Sequence, residues 1–283
     1  MVRLAGLGYS RHMPQLSVSS WSLHRTLGAP GFTGPADDLS PETADSAAAL
    51  ALLNLPARIA SFGIRTLELC HFHVRTVEPA YLAALKKALA DAGVVLHCLL
   101  IDAGDLTHAQ HAARDEAWIA EWLRIAGLLG AKTARVIGGN SAPNPESLAQ
   151  SLAAFKRLAD VAEANGVSTV TENFHKLVAT PEAVSWLVAQ MNGRLGFKLD
   201  FGNWSGAEKY AWLAEVSPMA ESCHAKAQFT EAYAPDTQDF TRCLDIAREA
   251  GFSGPLTLIY DDAHGPDEFR GLAAERALAE AYL

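Results

Sequence analysis

The sequence predicts a (β/α)8 barrel, on three observations. Short β-rich runs alternate with longer helical patterns, the signature of β/α units on a parallel sheet. Eight such units in 283 residues come close to the ~250 residues typical of that barrel. The helical stretches also close on a repeated signal, Asp91-Ala92-Gly93, Ala164-Asn165-Gly166 and Glu249-Ala250-Gly251, where glycine supplies the left-handed cap that turns a helix into the next strand. A doubly wound open sheet is the alternative, but no Gly-rich dinucleotide fingerprint follows the first strand.

Taken in order, the first strand is QLSVSS from Gln15, followed by one long connection rich in Gly, Pro and Asp, Gly28 to Asp45. A loop of that length after a strand covers a site or is simply mobile. The second strand is IRTLEL from Ile64 and the third VVLHCLLI from Val94. His97 lies inside that third run and reads as a packed barrel residue, with Asp102 just beyond it as a turn cap. TARVIG from Thr133 is the fourth. The Gly138-Gly139-Asn140 that follows either offers backbone N–H groups to an anion or forms a plain turn. Asn144-Pro145-Glu146 then opens a helix in the manner of an N-cap with proline in the first turn. VSTVTE from Val167, LGFKLDF from Leu195, SCHAKA from Ser222 and PLTLIY from Pro255 complete the eight. No linker, low-complexity tract or charge block interrupts the series, so residues 1–283 read as a single domain.

Composition narrows the function. A formal charge of −9 repels polyanions at long range, which disfavours a grip on nucleic acid through its phosphates. Apolar runs stop short of the ~20 residues a membrane span requires, and the N-terminal MVRLAGLGYSRHM has no continuous apolar core of the secretory kind. A cytoplasmic protein acting on a small molecule is expected. Cys70, Cys98, Cys223 and Cys243 form no CxxC pair and sit in apolar contexts, as reduced core thiols do.

Three strands end on an unusual residue. VSTVTE runs apolar and β-branched up to Glu172, LGFKLDF carries Asp200, and SCHAKA carries His224. In a parallel barrel the C-terminal strand ends open onto one shared cavity. Two carboxylates and an imidazole converging there make the ligand set of one divalent cation, Mn, Mg, Co or Zn. Each residue also has a plain structural reading. Glu172 caps the following helix, Asp200 binds the turn at Gly202, and His224 is a satisfied core histidine. Their placement on consecutive units favours the common cause.

With SVSSWSLHRTLG, TLELCHFH, TEN, KLDFGNW and CHAKA in place, essentially the whole chain resembles the sugar phosphate isomerase/epimerase group of the xylose-isomerase-like TIM barrels, which includes ketose 3-epimerases and inosose dehydratases. The resemblance implies one divalent metal on a strand-five Glu, strand-six Asp, strand-seven His and strand-eight Glu, with the two glutamates shuttling a proton beside a metal-polarised carbonyl. Glu172, Asp200 and His224 match the first three. Ile259 stands where the fourth would be. Asp261, on the same side one step nearer the mouth, or else Asp262 or His264, supplies the missing ligand; otherwise these residues are solvated and three ligands remain. The His that commonly follows the strand-six Asp is here Asn203, which donates to a hydroxyl but exchanges no proton near neutral pH.

Other residues are expected to meet the substrate from the rim. His71 and His73, placed on one side by alternation, reach hydroxyls of a polyol or else support a helix entry, with Glu68 just before them. Trp21 and His24 form a platform for a sugar or part of the core. Lys226 contacts the substrate or a phosphate, or pairs with Glu172 or Asp200.

The expectation is a metal-dependent sugar or polyol isomerase/epimerase-like enzyme with Glu172 as ligand and base. The alternative is a carbohydrate-binding barrel that has lost turnover. An apurinic-site endonuclease of the same superfamily would need more strand-end histidines and a basic face. Barrels of this kind often associate, so a homo-oligomer is open.

Overall fold

The computed structural model describes residues 14–28, 34–36, 49–262 and 265–283. Its strands are β1 (Leu16–Ser19), β2 (Thr66–Cys70), β3 (Val95–Leu100), β4 (Thr133–Arg135), β5 (Ser168–Glu172), β6 (Leu195–Asp200), β7 (Ala220–Ala225), β8 (Phe229–Glu231), β9 (Ala234–Pro235) and β10 (Leu256–Leu258). All but β8 and β9 close into a parallel barrel in the order β1-β10-β7-β6-β5-β4-β3-β2. Each of the eight expected strands is present. Beyond them lies the small antiparallel ribbon of β8 and β9, which the sequence reading did not separate from the loop after β7. The long connection from Gly28 lies outside the described residues except for residues 28 and 34–36.

Helices α1 (His24–Leu27), α2 (Leu55–Ser61), α3 (Pro79–Ala92), α4 (Ala112–Leu129), α5 (Pro145–Ala164), α6 (Pro181–Gln190), α7 (Lys209–Val216), α8 (Thr237–Glu249) and α9 (Glu268–Ala279) join the strands. Local chemistry sets their limits. The Asn144 side chain accepts the N–H groups of Glu146 and Ser147, while the Ser147 hydroxyl accepts Asn144 N–H, a reciprocal cap on α5. Gly93 ends α3 in the left-handed region at φ +62°, where a side chain would be strained. Among the described residues, no helix is long and apolar enough to cross a membrane.

The main core lies between sheet and helices, with Trp122, Phe155, Phe197, Phe201 and Phe240 fully buried. Burying an aromatic of this kind stabilises the fold by on the order of 2–3 kcal/mol. Cys70, Cys98, Leu100 and Val170 form a separate small cluster with Phe72. All four thiols are free and buried. Glu68 and Lys198 are also wholly buried, and are joined at 2.5 Å.

Register places the site. Asp200 lies opposite His224 and Glu172 opposite Lys198. Asn173 locks the ends of β5 and β6 together: its Oδ1 accepts Asp200 N–H at 2.7 Å and its Nδ2 donates to Asp200 O at 3.0 Å. Both partners are buried, so Asn173→Ala leaves two backbone groups unsatisfied. We expect that variant to lose about 2–4 kcal/mol of unfolding free energy in urea, from roughly 1–2 kcal/mol per orphaned group.

Candidate metal centre

Glu172, Asp200 and His224 meet at the C-terminal mouth of the barrel, with one donor atom from each lying within 4.8 Å of the others. His224 Nδ1 is 3.3 Å from Glu172 Oε1 and 3.5 Å from Asp200 Oδ2. All three residues are buried. Behind them, Glu68 Oε2 takes the other imidazole nitrogen, Nε2, at 2.7 Å. Its Oε1 accepts Lys198 Nζ at 2.5 Å and the Thr257 hydroxyl at 3.0 Å.

These contacts fix the charges. Burial alone would raise the Glu68 carboxyl, but Lys198 and then His224 pull it well below its ordinary range, so it is ionised and accepts Nε2–H. Burial works against the His224 imidazolium; the Glu172 carboxylate, with Glu68 and Asp200, outweighs it and lifts the pKa to about 10. For Glu172 burial is likewise overcome, first by His224 and then by Arg135, and the carboxyl falls to about 2.

This donor set suits a divalent cation. A ligating histidine typically gives its second N–H to a carboxylate, which fixes the tautomer and raises the basicity of the metal-facing nitrogen. Glu68 does this from below, leaving Nδ1 turned toward two carboxylate oxygens. Either a proton or a cation must occupy that direction. Asp200 serves two ends at once: Oδ1 accepts the N–H groups of Gly202 and Asn203 at 2.6 and 2.8 Å, and Oδ2 faces the cluster. The turn-binding reading of Asp200 therefore holds beside the ligand reading. Glu172 caps no helix; its Oε1 accepts from Asn203 Nδ2 at 2.8 Å.

The cluster lines a small pocket at the barrel mouth, with a cavity volume of about 50 Å³. Trp21, Asn203, Lys226 and Ile259 line it too. Lys226 pairs with neither Glu172 nor Asp200; it donates to Asp261 Oδ2 at 2.7 Å. Asp261 is thus engaged at the rim, its side chain 43% exposed, and does not join the cluster among the described residues. Asp262 is buried against Tyr260, whose hydroxyl lies 3.2 Å from its Oδ2. His264 lies outside the described residues.

Glu68, His71, His73 and His24 take places different from those expected. Glu68 has no exposure and sits beneath the cluster, because its three donors lie inside the barrel. The two histidines do not share a side: the strand ends at Cys70, and His71–His73 is a 3-10 turn, which replaces strand alternation with a threefold rotation. His71 is packed 5.2 Å from the rings of both Trp118 and Trp122, and its Nδ1 accepts Asp102 N–H at 3.1 Å. Burial holds its pKa at about 4, so it is a neutral acceptor. His73 Nδ1 lies 2.9 Å from Ser20 Oγ and its Nε2 3.3 Å from His24 Nδ1. His24 is stacked on Phe72 and sets its edge against Trp21; neither His24, His71 nor His73 lines the pocket.

Sequence reasoning missed two residues. Lys198 is the buried counter-ion of Glu68, and Arg135, on β4, bridges Asp102 and Glu172, with Nε 3.1 Å from Glu172 Oε2. The available signal was a lone cation in each of the strands TARVIG and LGFKLDF. The Gly138-Gly139-Asn140 turn spends an N–H on the protein itself, Asn140 N–H being bound by Asp105 Oδ1 at 3.0 Å.

Two outcomes follow from this electrostatic arrangement. Glu68→Gln should weaken Mn binding about 10–100-fold, read by electron paramagnetic resonance of free Mn, and lower the unfolding temperature because Lys198 loses its buried counter-charge. Since Nδ1 carries a proton below about pH 10 in the metal-free protein, cation binding at pH 8 should release close to one proton. Calorimetry in two buffers of different ionisation enthalpy measures it, and affinity should rise with pH towards 10.

The family of xylose isomerase-like TIM barrels has a sequence model that matches residues 56–281. No protein of curated function matches by sequence. Among solved structures, D-allulose 3-epimerase from Methylomonas sp. is similar with a TM-score of 0.69 at 14% identity, over 96% of this chain and 99% of that one. L-ribulose 3-epimerase gives 0.68 at 17% identity, over 96% and 95%. A xylose isomerase-like TIM barrel protein from Mycobacterium smegmatis, solved in complex with magnesium, gives 0.66 at 13% identity, over 96% and 98%. At these identities the structures speak for the fold, and it is the sequence match over most of the chain, joined to the closed eight-stranded barrel, that decides membership: this chain belongs to the xylose isomerase-like TIM barrel family.

Proposed function

We propose that this chain is a divalent-metal-dependent sugar or polyol isomerase/epimerase-type enzyme. The observation that carries the reading is the orientation of His224, whose Nε2 is held by Glu68 while Nδ1 faces Glu172 and Asp200. Glu172, Asp200 and His224 would hold the cation, which supplies Lewis-acid polarisation of a substrate carbonyl or hydroxyl. The fold relationship to ketose 3-epimerases and the buried thiols support a small sugar substrate and a cytoplasmic setting.

Acid–base work in this pocket falls to Glu172. Asn203 Nδ2 and Arg135 position its carboxylate, which the neighbouring His224 and Arg135 charges keep ionised, so that an unprotonated oxygen is present to take a proton from a carbon beside the polarised oxygen. Asn203 in turn orients Glu172 and has no proton to exchange. Across the pocket, Ile259 offers hydrocarbon in place of a second carboxylate. A two-base inversion at one carbon has no second base there. A shift in which Glu172 takes a proton from one carbon and returns it to the next, or a dehydration begun by the same abstraction, fits better. Lys226 and Asp261, paired at the mouth, and Trp21 on the wall would shape the entrance for substrate.

Ile259 also supports the second reading, a barrel that binds metal and sugar without turnover. Incubation with ketoses and inososes in the presence of Mn separates the two. Conversion of at least one substrate is expected; sugar affinity with bound Mn and no product selects the binder, and inertness with no affinity removes both. In Asp200→Ala, Mn content by elemental analysis should fall to background, and a full complement of metal there would refute the site.

A further inference from the structure

Arg135 and Asp102 form a buried pair on the pocket wall beside Glu172, of which the proposed metal chemistry uses only the Arg135 Nε that faces Glu172. Arg135 is 3% exposed and its guanidinium donates through Nη2 to Asp102 Oδ1. Its Nη1 and Asp102 Oδ2 are both buried and have no hydrogen-bond partner among the described residues. Both residues line the pocket. A donor and an acceptor left open together are uncommon, because a buried polar atom without a partner is costly.

The pair is also held in place from behind. His71, wedged against Trp118 and Trp122, accepts Asp102 N–H, and its ring nitrogen lies 3.9 Å from Asp102 Oδ2. On the other side, Arg135 Nε lies 3.1 Å from Glu172 Oε2. Arg135 therefore touches two carboxylates, and the trio carries net negative charge. An anion placed there would meet two carboxylates for one guanidinium; a neutral hydroxyl carries both a lone pair of the kind Nη1 lacks and a proton of the kind Oδ2 lacks.

We propose that Asp102 and Arg135 form a seat for one hydroxyl of a neutral polyhydroxy ligand, apart from the oxygens that face Glu172, Asp200 and His224. The seat rests on the metal-dependent reading above and adds the residues that choose which hydroxylated carbon lies beside Glu172. A site built to hydrogen-bond a hydroxyl rejects the analogue that lacks it, because its own buried groups are then left unpaired.

The test uses Mn-loaded full-length protein with D-fructose and its singly deoxygenated analogues, Kd being measured by calorimetry for wild type and Asp102→Asn. The substitution keeps an oxygen for Arg135 and turns the open acceptor into a donor. One analogue should bind wild type about 10–100-fold more weakly than D-fructose. Asp102→Asn should bind D-fructose as weakly as that analogue and no longer distinguish the two. Arg135→Lys, which keeps the charge beside Glu172 and removes Nη1, should lose the same discrimination. Equal weakening toward every analogue, or unchanged Kd in Asp102→Asn, would overturn the seat. Mn stoichiometry separates the two readings: bound Mn with an insensitive Asp102→Asn defeats the seat alone, whereas wild type that takes up neither Mn nor any sugar defeats both.

Discussion

The carboxylate of Glu68 is the contact on which the site depends. A carboxylate with no solvent exposure must be compensated several times over, and here three donors do so from three other strands: Lys198 on β6, His224 on β7 and Thr257 on β10. Because one of them is the imidazole of the ligand cluster, neutralising a buried ion and aiming a ligand are one arrangement. Removing Glu68 would leave Lys198 without a counter-ion and His224 free to adopt the other tautomer.

The cluster at the mouth is layered on that foundation. Asn173 fixes the ends of β5 and β6, Asn203 and Arg135 hold Glu172 from two directions, and the turn amides at Gly202 and Asn203 occupy one oxygen of Asp200. Each ligand thus keeps one side toward the cluster and spends its remaining hydrogen-bonding capacity on the scaffold, which is what preorganisation requires. Opposite lies an apolar arc: Ile259 just past β10, Trp21 just past β1 and Leu100 at the end of β3. A ligand in this pocket meets charged and polar groups from Asp102, just past β3, round to Lys226, just past β7, and mostly hydrocarbon beyond them.

Much of this was legible in the sequence, for a local reason. Strand period, glycine caps and the Asn144 cap are short-range signals, and they located all eight barrel strands. The three ligands were legible because each ends a strand, where chain order alone says which cavity a residue borders. Pairing across the barrel was not legible. Nothing near Glu68 in the chain says that it faces Lys198, nor that Arg135 lies between Asp102 and Glu172, and so Glu68 was expected at the rim. The His71 and His73 error has another origin: alternation was extended past the last strand residue into a 3-10 turn. Asp261 was drawn away by a cation the same argument had assigned elsewhere, Lys226.

The partners of Glu68 stand 130, 156 and 189 residues further along the chain. Contacts of such separation carry a large loop-closure cost, which is met before the contact brings any reward. While the barrel is still open, Glu68 and Lys198 are two hydrated ions and the imidazole has no fixed tautomer. Competence to hold a cation in this geometry therefore requires barrel closure, and a nascent chain that holds most of its helices but has not closed would still lack it.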